Sequence, residues 1–322
     1  MIPGCRPQRN TGLALISVLL IVALVSALAS HMITRHALTV AHMRQLIYGS
    51  QAREYALGGE AYARQILFED WSDEDSEDID TLLETWSQPL EPFEVDSGEL
   101  EIQIADLERR FNLNSVTGAN GPDNLLRLKR LMENLGLDPN LADAWLDWID
   151  DDQAVHGFGA EDGEYLLLDQ PYRTANQPAN DVSEMQVLSG ITFEEYSLIR
   201  PYVTLLPTDE LKINMNTVEQ PVLEALSPNF NPGDAEALVE SAREYTDVPS
   251  ITAQYASLGD SVDAMTVSSQ YFEIRVRAEV SGTRAELTSI IHRDPTTGAL
   301  TLLSRDFGQR FKSLFVDQQD AG

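Results

Sequence analysis

The order of hydrophobic and polar positions predicts one long helix at the start of this chain. An uncharged apolar run extends from Leu13 to Ser30, and about 18 residues is the lower limit for a helix that crosses a hydrocarbon core of about 30 Å. Apolar residues continue as far as Leu57 at intervals typical of a helix. Because no proline lies between Gln8 and Pro89, we predict one helix over residues 13–68, with residues 13–30 as its transmembrane part.

The pattern changes period after this helix. Residues 69–114 contain an acidic segment and a first strand, predicted from Phe93 to Ile104, because Leu100 to Ile104 alternate apolar and polar side chains. Residues 115–262 have helical spacing, in the parts 115–206 and 209–262. Residues 263–315 are β-branched or aromatic segments separated by turn signals, and residues 316–322 are expected to be a disordered tail.

Local signals predict individual boundaries within the helical part. Gly136 predicts the end of a helix, Thr192 with Glu195 predicts a capping box, and Thr217 predicts the cap of a helix that runs to Leu226. The whole pattern predicts an α+β fold, in which a long helix packs on an antiparallel sheet and a large helical domain is inserted after the first strand.

The apolar run has three interpretations. A cleaved secretory signal needs a small-residue site, which Ala27-Leu28-Ala29 provides. A plain membrane anchor explains the apolar residues but not the short leader, residues 1–12, which ends in glycine. The uninterrupted helical pattern beyond Ser30 favours a membrane helix that continues into a folded domain.

The leader and the start of the apolar run resemble the type IV prepilin signature. Thr11-Gly12 precedes the apolar stretch LALISVLL, which begins at Leu13. The resemblance implies that a prepilin peptidase cleaves after Gly12 and methylates the amino terminus of Leu13. Most pilins and pseudopilins have a glutamate at the fifth mature position, where this chain has Ser17. A carboxylate in lipid is costly unless a neighbouring subunit pairs with it, so a subunit without it suits the tip of a filament.

Short segments along the rest of the chain resemble the K-type minor pseudopilins of the type II secretion system. They are YALGGEAYA, ADLERRFNLNS, DWIDDD, GAEDGEY, INMNT and SSQYFEIRVRAEV, which begin at residues 55, 105, 147, 159, 213 and 268. The resemblance implies a pseudopilin fold with a large α-domain. It also implies a single-pass protein of the bacterial inner membrane with a periplasmic domain. That protein initiates and caps the pseudopilus with the I-type and J-type minor pseudopilins, above the major pseudopilin filament, and so supports protein export.

Composition narrows the classes of function. The net charge of -30 repels the phosphates of nucleic acids and favours hard cations. The one cysteine, Cys5, lies in the leader, so the mature chain has no disulfide.

Acidic residues near Asp147 indicate a metal site. Asp147, Asp150, Asp151 and Asp152 stand at the predicted C-terminus of a helix, where the helix dipole and their mutual repulsion both disfavour them. Glu161 and Asp162 return after a loop that contains two glycines, and calcium takes 6 to 8 oxygen ligands in such sites. An exposed acidic loop is the alternative, which we also expect for the acidic run at residues 69–84. Resemblance to the K-type family implies calcium at this site. Asn176 and Asp181 are further candidate ligands, for the same site or a second one.

The sequence does not predict an enzyme. It contains no phosphate-binding loop, no zinc pair and no nucleophile beside a base, and His156 and His292 stand alone. The main hypothesis is therefore a structural subunit of a secretion filament. The alternative is a signal-peptide-cleaved periplasmic calcium-binding protein that acts alone.

Overall fold

The computed structural model describes residues 11–72 and 78–311, with side chains from Leu15 onward. Residues 1–10 of the predicted leader and the predicted tail at residues 316–322 lie outside this part of the chain.

The first element is a helix of 62 residues, α1, at Thr11–Ser72. Its first half carries exposed apolar side chains from Leu15 to Ile47. Within the described residues, α1 is the one helix that is long and apolar enough to cross a membrane. At about 1.5 Å per residue, α1 is about 93 Å long, so only part of it fits within a bilayer.

The second half of α1 packs on an antiparallel sheet. The strands are β1 (Phe93–Val95), β2 (Gly98–Asp106), β7 (Tyr271–Val280), β8 (Thr283–Arg293) and β9 (Leu300–Asp306), and they lie in that order in the sheet. Neighbouring strands are antiparallel throughout. The prediction of a single strand from Phe93 to Ile104 is wrong in one respect, because the chain reverses at Ser97, which has a positive φ of 63°.

Small side chains let α1 approach the sheet closely. Ala52, Ala56 and Ala63 of α1 are fully buried in the hydrophobic core between α1 and the sheet. A Cβ at Gly59 would lie 2.7 Å from Cγ1 of Val276, so only glycine allows this separation. One buried charge strengthens the contact, because Glu60 accepts hydrogen bonds from Nε and Nη2 of Arg305, each at 2.7 Å.

The inserted domain consists of short helices around a second hydrophobic core. Its helices are α2 (Gly121–Asn134), α3 (Leu141–Ile149), α4 (Asp162–Tyr165), α5 (Phe193–Ile199), α6 (Gln220–Leu226), α7 (Pro232–Glu240) and α8 (Val248–Gln254). Two short parallel strand pairs hold its ends together, and of their four strands the sequence pattern predicts only the one at Met265 to Val267. They pair β3 (Phe111–Asn112) with β4 (Val203–Thr204), and β5 (Ile213–Asn214) with β6 (Met265–Thr266).

The local predictions in this domain have different outcomes. Gly136 follows the end of α2 with a φ of 73°, and Thr192 forms the predicted capping box with Glu195. The predicted cap at Thr217 is wrong, since α6 begins at Gln220. Thr217 is fully buried, and its hydroxyl donates a hydrogen bond to Asp106 at 2.6 Å. A buried carboxylate needs such donors, and this requirement determines the position of Thr217.

The acidic run at residues 69–84 is also different from the exposed loop that we expected. In its described part, α1 continues to Ser72 and Asp80 is only 1% exposed. Both oxygens of Asp80 accept hydrogen bonds from Arg293 at 2.5 and 2.6 Å, and Asp70 accepts one from the same side chain at 3.2 Å. Like-charge runs are usually solvated, but here a distant arginine compensates the buried charges.

Candidate metal centre

Helix α3 places several carboxylates on one side of the inserted domain. Asp143 and Asp147 are buried on this helix, and Asp150 is the residue that ends it. The spacing of four and three residues directs these side chains to the same face. Lys129 pairs with Asp143 at 2.6 Å, whereas no lysine or arginine pairs with Asp147 or Asp150 among the described residues.

The loop that follows α3 folds back onto these carboxylates. The backbone N–H of His156 donates to Oδ1 of Asp147 at 3.0 Å, and Nδ1 of the same histidine lies 3.3 Å from that oxygen. A Cβ at Gly159 would lie 2.1 Å from Oδ2 of Asp147. The glycine at this position therefore lets the loop backbone reach the buried carboxylate.

Two overlapping groups of ligand atoms result from this arrangement. One consists of Asp147, Asp150 and His156, and the other of Asp150, Asp152 and Glu161. Within each group the candidate ligand atoms all lie within 4.8 Å of one another. Asp150 belongs to both groups and thus lies at the centre of the site.

The electrostatics of the site favour a bound cation. Burial, together with the charges of Asp147 and Asp150, raises the pKa of Glu161 to about 7 from an ordinary value of 4.5. Burial is also the main cause of the raised pKa values of Asp147 and Asp150. A bound cation would favour the ionised form of all three carboxylates.

Unpartnered oxygen atoms support the same interpretation. Within residues 11–72 and 78–311, Oε1 of Glu161 is buried without a hydrogen-bond partner, and so is Oδ1 of Asn176. The Nδ2 group of Asn176 donates to the backbone carbonyl of Asp152 at 3.0 Å, which brings the amide against the acidic loop. Most buried polar atoms are hydrogen-bonded, so these two oxygens fit a site that receives a cation.

Some of the acidic residues that the sequence indicated have other contacts. Asp162 accepts hydrogen bonds from the backbone and hydroxyl of Thr174 and pairs with Arg173. Burial opposes the effect, but these contacts together lower the pKa of Asp162. Asp181 caps a 3-10 helix through the backbone N–H of Ser183. Asp162, Asp181 and Asp151 lie outside the two groups of ligand atoms in the described part of the chain.

Sequence reasoning missed His156, which it treated as an isolated side chain. The local sequence contains one signal for the site as a whole, because Asp143, Asp147 and Asp150 follow helical spacing on one face. For His156 no such signal exists, since the path of the loop at residues 153–160 decides where its ring lies.

The donor set determines which ions suit the site. Asp150, Asp152 and Glu161 provide oxygen atoms alone, as calcium and magnesium prefer. The group with His156 adds a nitrogen, which suits a transition metal better. An all-oxygen site built largely on a loop favours calcium over magnesium, because magnesium requires a more regular octahedron.

Comparisons with known proteins place these features in context. Residues 109–208 and 213–267 match two family profiles, both described as type II secretion system (T2SS), protein K. The type II secretion system protein K of Pseudomonas aeruginosa is 34% identical over 315 residues, which cover 93% of each chain. That of Aeromonas hydrophila is 33% identical over 319 residues, 90% of this chain and 95% of the relative.

A solved structure is similar over most of the fold. It is the GspK-GspI-GspJ complex from the type 2 secretion system of enterotoxigenic Escherichia coli. The matching chain has a TM-score of 0.73 and 28% sequence identity, and the match covers 84% of this chain and 100% of that one.

Proposed function

The chain belongs to the type II secretion system protein K family, and on this premise we propose that it caps the tip of the pseudopilus and initiates its assembly. The predicted α+β pseudopilin fold with an inserted helical domain is confirmed by the similarity to the solved complex. The family consists of components of the secretion machinery and therefore supports a structural role rather than catalysis.

The observation that carries the proposal is the similarity to a chain of a complex that contains the I and J components. Partners of the I and J type would contact α1, whose exposed apolar side chains extend well beyond a single membrane span. The inserted domain would then project beyond the sheet, where its bulk opposes the addition of another subunit.

The amino-terminal segment supports a terminal position in the filament. Ser17 is an uncharged residue on α1 at the position where most pseudopilins carry a glutamate. A subunit without this carboxylate does not require the amino terminus of a further subunit to neutralise it in lipid. Processing by a prepilin peptidase after Gly12 would leave Leu13 as the first residue, in an inner-membrane helix with the folded domain in the periplasm.

Filament labelling tests the capping role. An antibody against the inserted domain is expected to label isolated pseudopili at one end, beside the I-type and J-type subunits. Labelling along the whole length would refute capping, because it would place this subunit inside the filament.

Mass spectrometry of the mature protein tests processing, with a methylated Leu13 as the expected terminus. A terminus at Ser30 would instead support the secreted protein that acts alone.

We also propose that the centre at the end of α3 binds calcium. The support is the oxygen group of Asp150, Asp152 and Glu161, together with the buried unpartnered oxygen of Glu161. Asp147 would contribute through the second group, and Asn176 would add an amide oxygen. A cation there would join the end of α3 to the loop and to α4, and would thus stabilise the edge of the inserted domain.

Two neighbouring aspartates provide a matched test. Asp150 belongs to both groups of ligand atoms, whereas Asp151 is exposed and lies outside them. Both substitutions remove one charge from the same loop. We expect Asp150→Asn to abolish calcium binding in titration calorimetry and Asp151→Asn to retain it. Equal affinities in the two variants would refute the site.

A further inference from the structure

The charges of this chain are divided sharply between the start of α1 and the rest of the molecule. Residues 1–53 contain five arginines and no aspartate or glutamate, so all 52 acidic residues follow from Glu54 onward. The strongly negative part therefore begins deep in the second half of α1, and the segment near the candidate membrane span is positive.

Basic side chains follow directly on the apolar run. His31, Arg35 and His36 lie within six residues of Ser30, and we call these three residues the basic collar. Their side chains are exposed on α1. His31 and Arg35 are one turn apart and differ by about 40° around the helix axis, so they project on the same side.

Arg35 has no carboxylate partner within the described residues. The nearest acidic residue before or after it in sequence is Glu54, about 28 Å along the helix. Arg53, in contrast, stacks on the ring of Phe307 with 3.9 Å between its guanidinium carbon and the ring centroid. The two arginines thus have different environments on the same helix.

The position of the collar matches the depth of lipid headgroups. If residues 13–30 span the hydrocarbon core, Arg35 lies about 7 Å beyond it along the helix. The headgroup region is about 5–8 Å thick on each side of the core. Arg44 lies about 21 Å beyond the core and Arg53 about 35 Å, both outside a Debye length of about 8 Å.

We propose that the basic collar binds anionic phospholipid headgroups at the outer face of the membrane. The inference rests on the proposed membrane anchor and adds the chemistry of the lipid that it contacts. A guanidinium forms paired hydrogen bonds with phosphate oxygens, and the two imidazoles supply further donors. The same anionic surface repels any part of the acidic domain that comes within a Debye length, so it disfavours the domain lying down on the membrane.

Spin-labelled lipids test this proposal with the full chain in phosphatidylcholine vesicles. Electron paramagnetic resonance gives the relative association of labelled phosphatidylglycerol and labelled phosphatidylcholine with the protein. We expect a preference for phosphatidylglycerol that decreases by about two- to fivefold in Arg35→Gln, because one arginine at an anionic surface contributes about fivefold at most. Raised salt is expected to weaken the preference in the wild-type chain.

The effect of an arginine substitution on lipid preference must decrease as the arginine lies farther from the membrane. Arg44→Gln is expected to change the preference by less than about twofold, and Arg53→Gln not at all, although each variant loses the same charge. Equal effects of the three variants, or no effect of Arg35→Gln, would overturn the proposal. So would an Arg35→Gln variant that keeps its lipid preference but no longer retains the I-type and J-type subunits, since the collar would then contact protein.

A flotation measurement separates this inference from the proposed function. A chain that does not float with the vesicles refutes the membrane anchor and the headgroup contact together. A chain that floats but shows no preference between the two lipids refutes the headgroup contact and leaves the anchor intact.

Discussion

Replacement of Glu161 by glutamine is the sharpest test of the candidate metal centre, because it should change stability in opposite directions with and without metal. The carboxylate of Glu161 is buried, and one of its oxygens has no partner. Glutamine has nearly the same shape but carries no charge, so the substitution removes the repulsion from Asp147 and Asp150 and removes one metal ligand at the same time.

Without metal, the expected stability difference between Glu161→Gln and the wild type follows from the pKa of Glu161, which is raised from 4.5 to about 7. This rise corresponds to about 3 kcal/mol when the group is ionised, and solvent around the loop reduces the cost to about 1–2 kcal/mol. A raised pKa means that the folded state binds the proton more tightly. The destabilisation is therefore absent below pH 4.5 and develops as the pH rises through about 7. In a chelator at pH 8, Glu161→Gln should be about 1–2 kcal/mol more stable than the wild type.

With metal, the expected stabilisation of the wild-type protein follows from mass action. Calcium at one hundred times its dissociation constant stabilises the wild-type protein by about 2.7 kcal/mol. For an unfolding unit of 150–250 residues this raises the melting temperature by about 5–11 °C. We expect Glu161→Gln to lose most of this rise, since it lacks a ligand that bears a charge.

Thermal unfolding of the full chain in detergent measures both effects, in chelator and in calcium. Glu164→Gln is the matched control, because Glu164 lies on the short helix that follows Glu161, is exposed and is outside both groups of ligand atoms. It should melt and respond to calcium as the wild type does. A Glu161→Gln variant that is less stable than the wild type in chelator, or that keeps the full calcium response, would contradict the assignment.

Three further predictions concern other residues. Gly159→Ala would place a Cβ 2.1 Å from a buried carboxylate oxygen, so it should lower the free energy of unfolding by about 1–3 kcal/mol and weaken calcium binding in calorimetry. Gly163→Ala is the control, because a Cβ there meets nothing within 4 Å, and it should retain the stability and the calcium affinity of the wild type. Arg293→Met leaves a buried aspartate without its cation and should cost about 3–5 kcal/mol in urea unfolding, whereas Arg284→Gln in an exposed pair should cause no measurable loss; equal costs would contradict the role of the buried pair. Burial and, to a smaller extent, the charge of Asp106 raise the pKa of Glu108 to about 8 from 4.5, so stability in chelator should decrease as the pH rises through about 8. In thermal melts between pH 6 and 9, Glu108→Gln should show a smaller decrease than the wild type.

The described structure explains why the expectation of an exposed acidic run fails at Asp80. A run of like charges usually faces solvent, because its members repel one another and lose hydration when buried. Asp80 is buried nevertheless, because Arg293 reaches it from the end of β8, 213 positions later in the sequence. No local pattern around residue 80 contains that information, since the compensating charge comes from another part of the fold.

The sequence indicates only part of the candidate metal centre, because the rest depends on tertiary contacts, as at Asp80. Asp147 and Asp150 were identified because consecutive carboxylates at the end of a helix are unfavourable without a cation. Their grouping with Glu161 and His156 depends on a loop whose glycine at residue 159 lies against Asp147. The sequence also indicates Asp162, whose carboxylate contacts Arg173 and Thr174 in the structure.

The sequence by itself determined the features that follow from periodicity and from short contiguous motifs. These are the long apolar helix, the two strands predicted at residues 271–280 and 285–292, and the α+β class. They are local because the period of apolar positions reflects which face of one element is buried. The tertiary structure alone decided which charges meet, as in the contacts of Asp80 with Arg293 and of Glu60 with Arg305. Pairing across more than 200 residues depends on how the sheet and the inserted domain pack, and a repeating local pattern does not encode that packing.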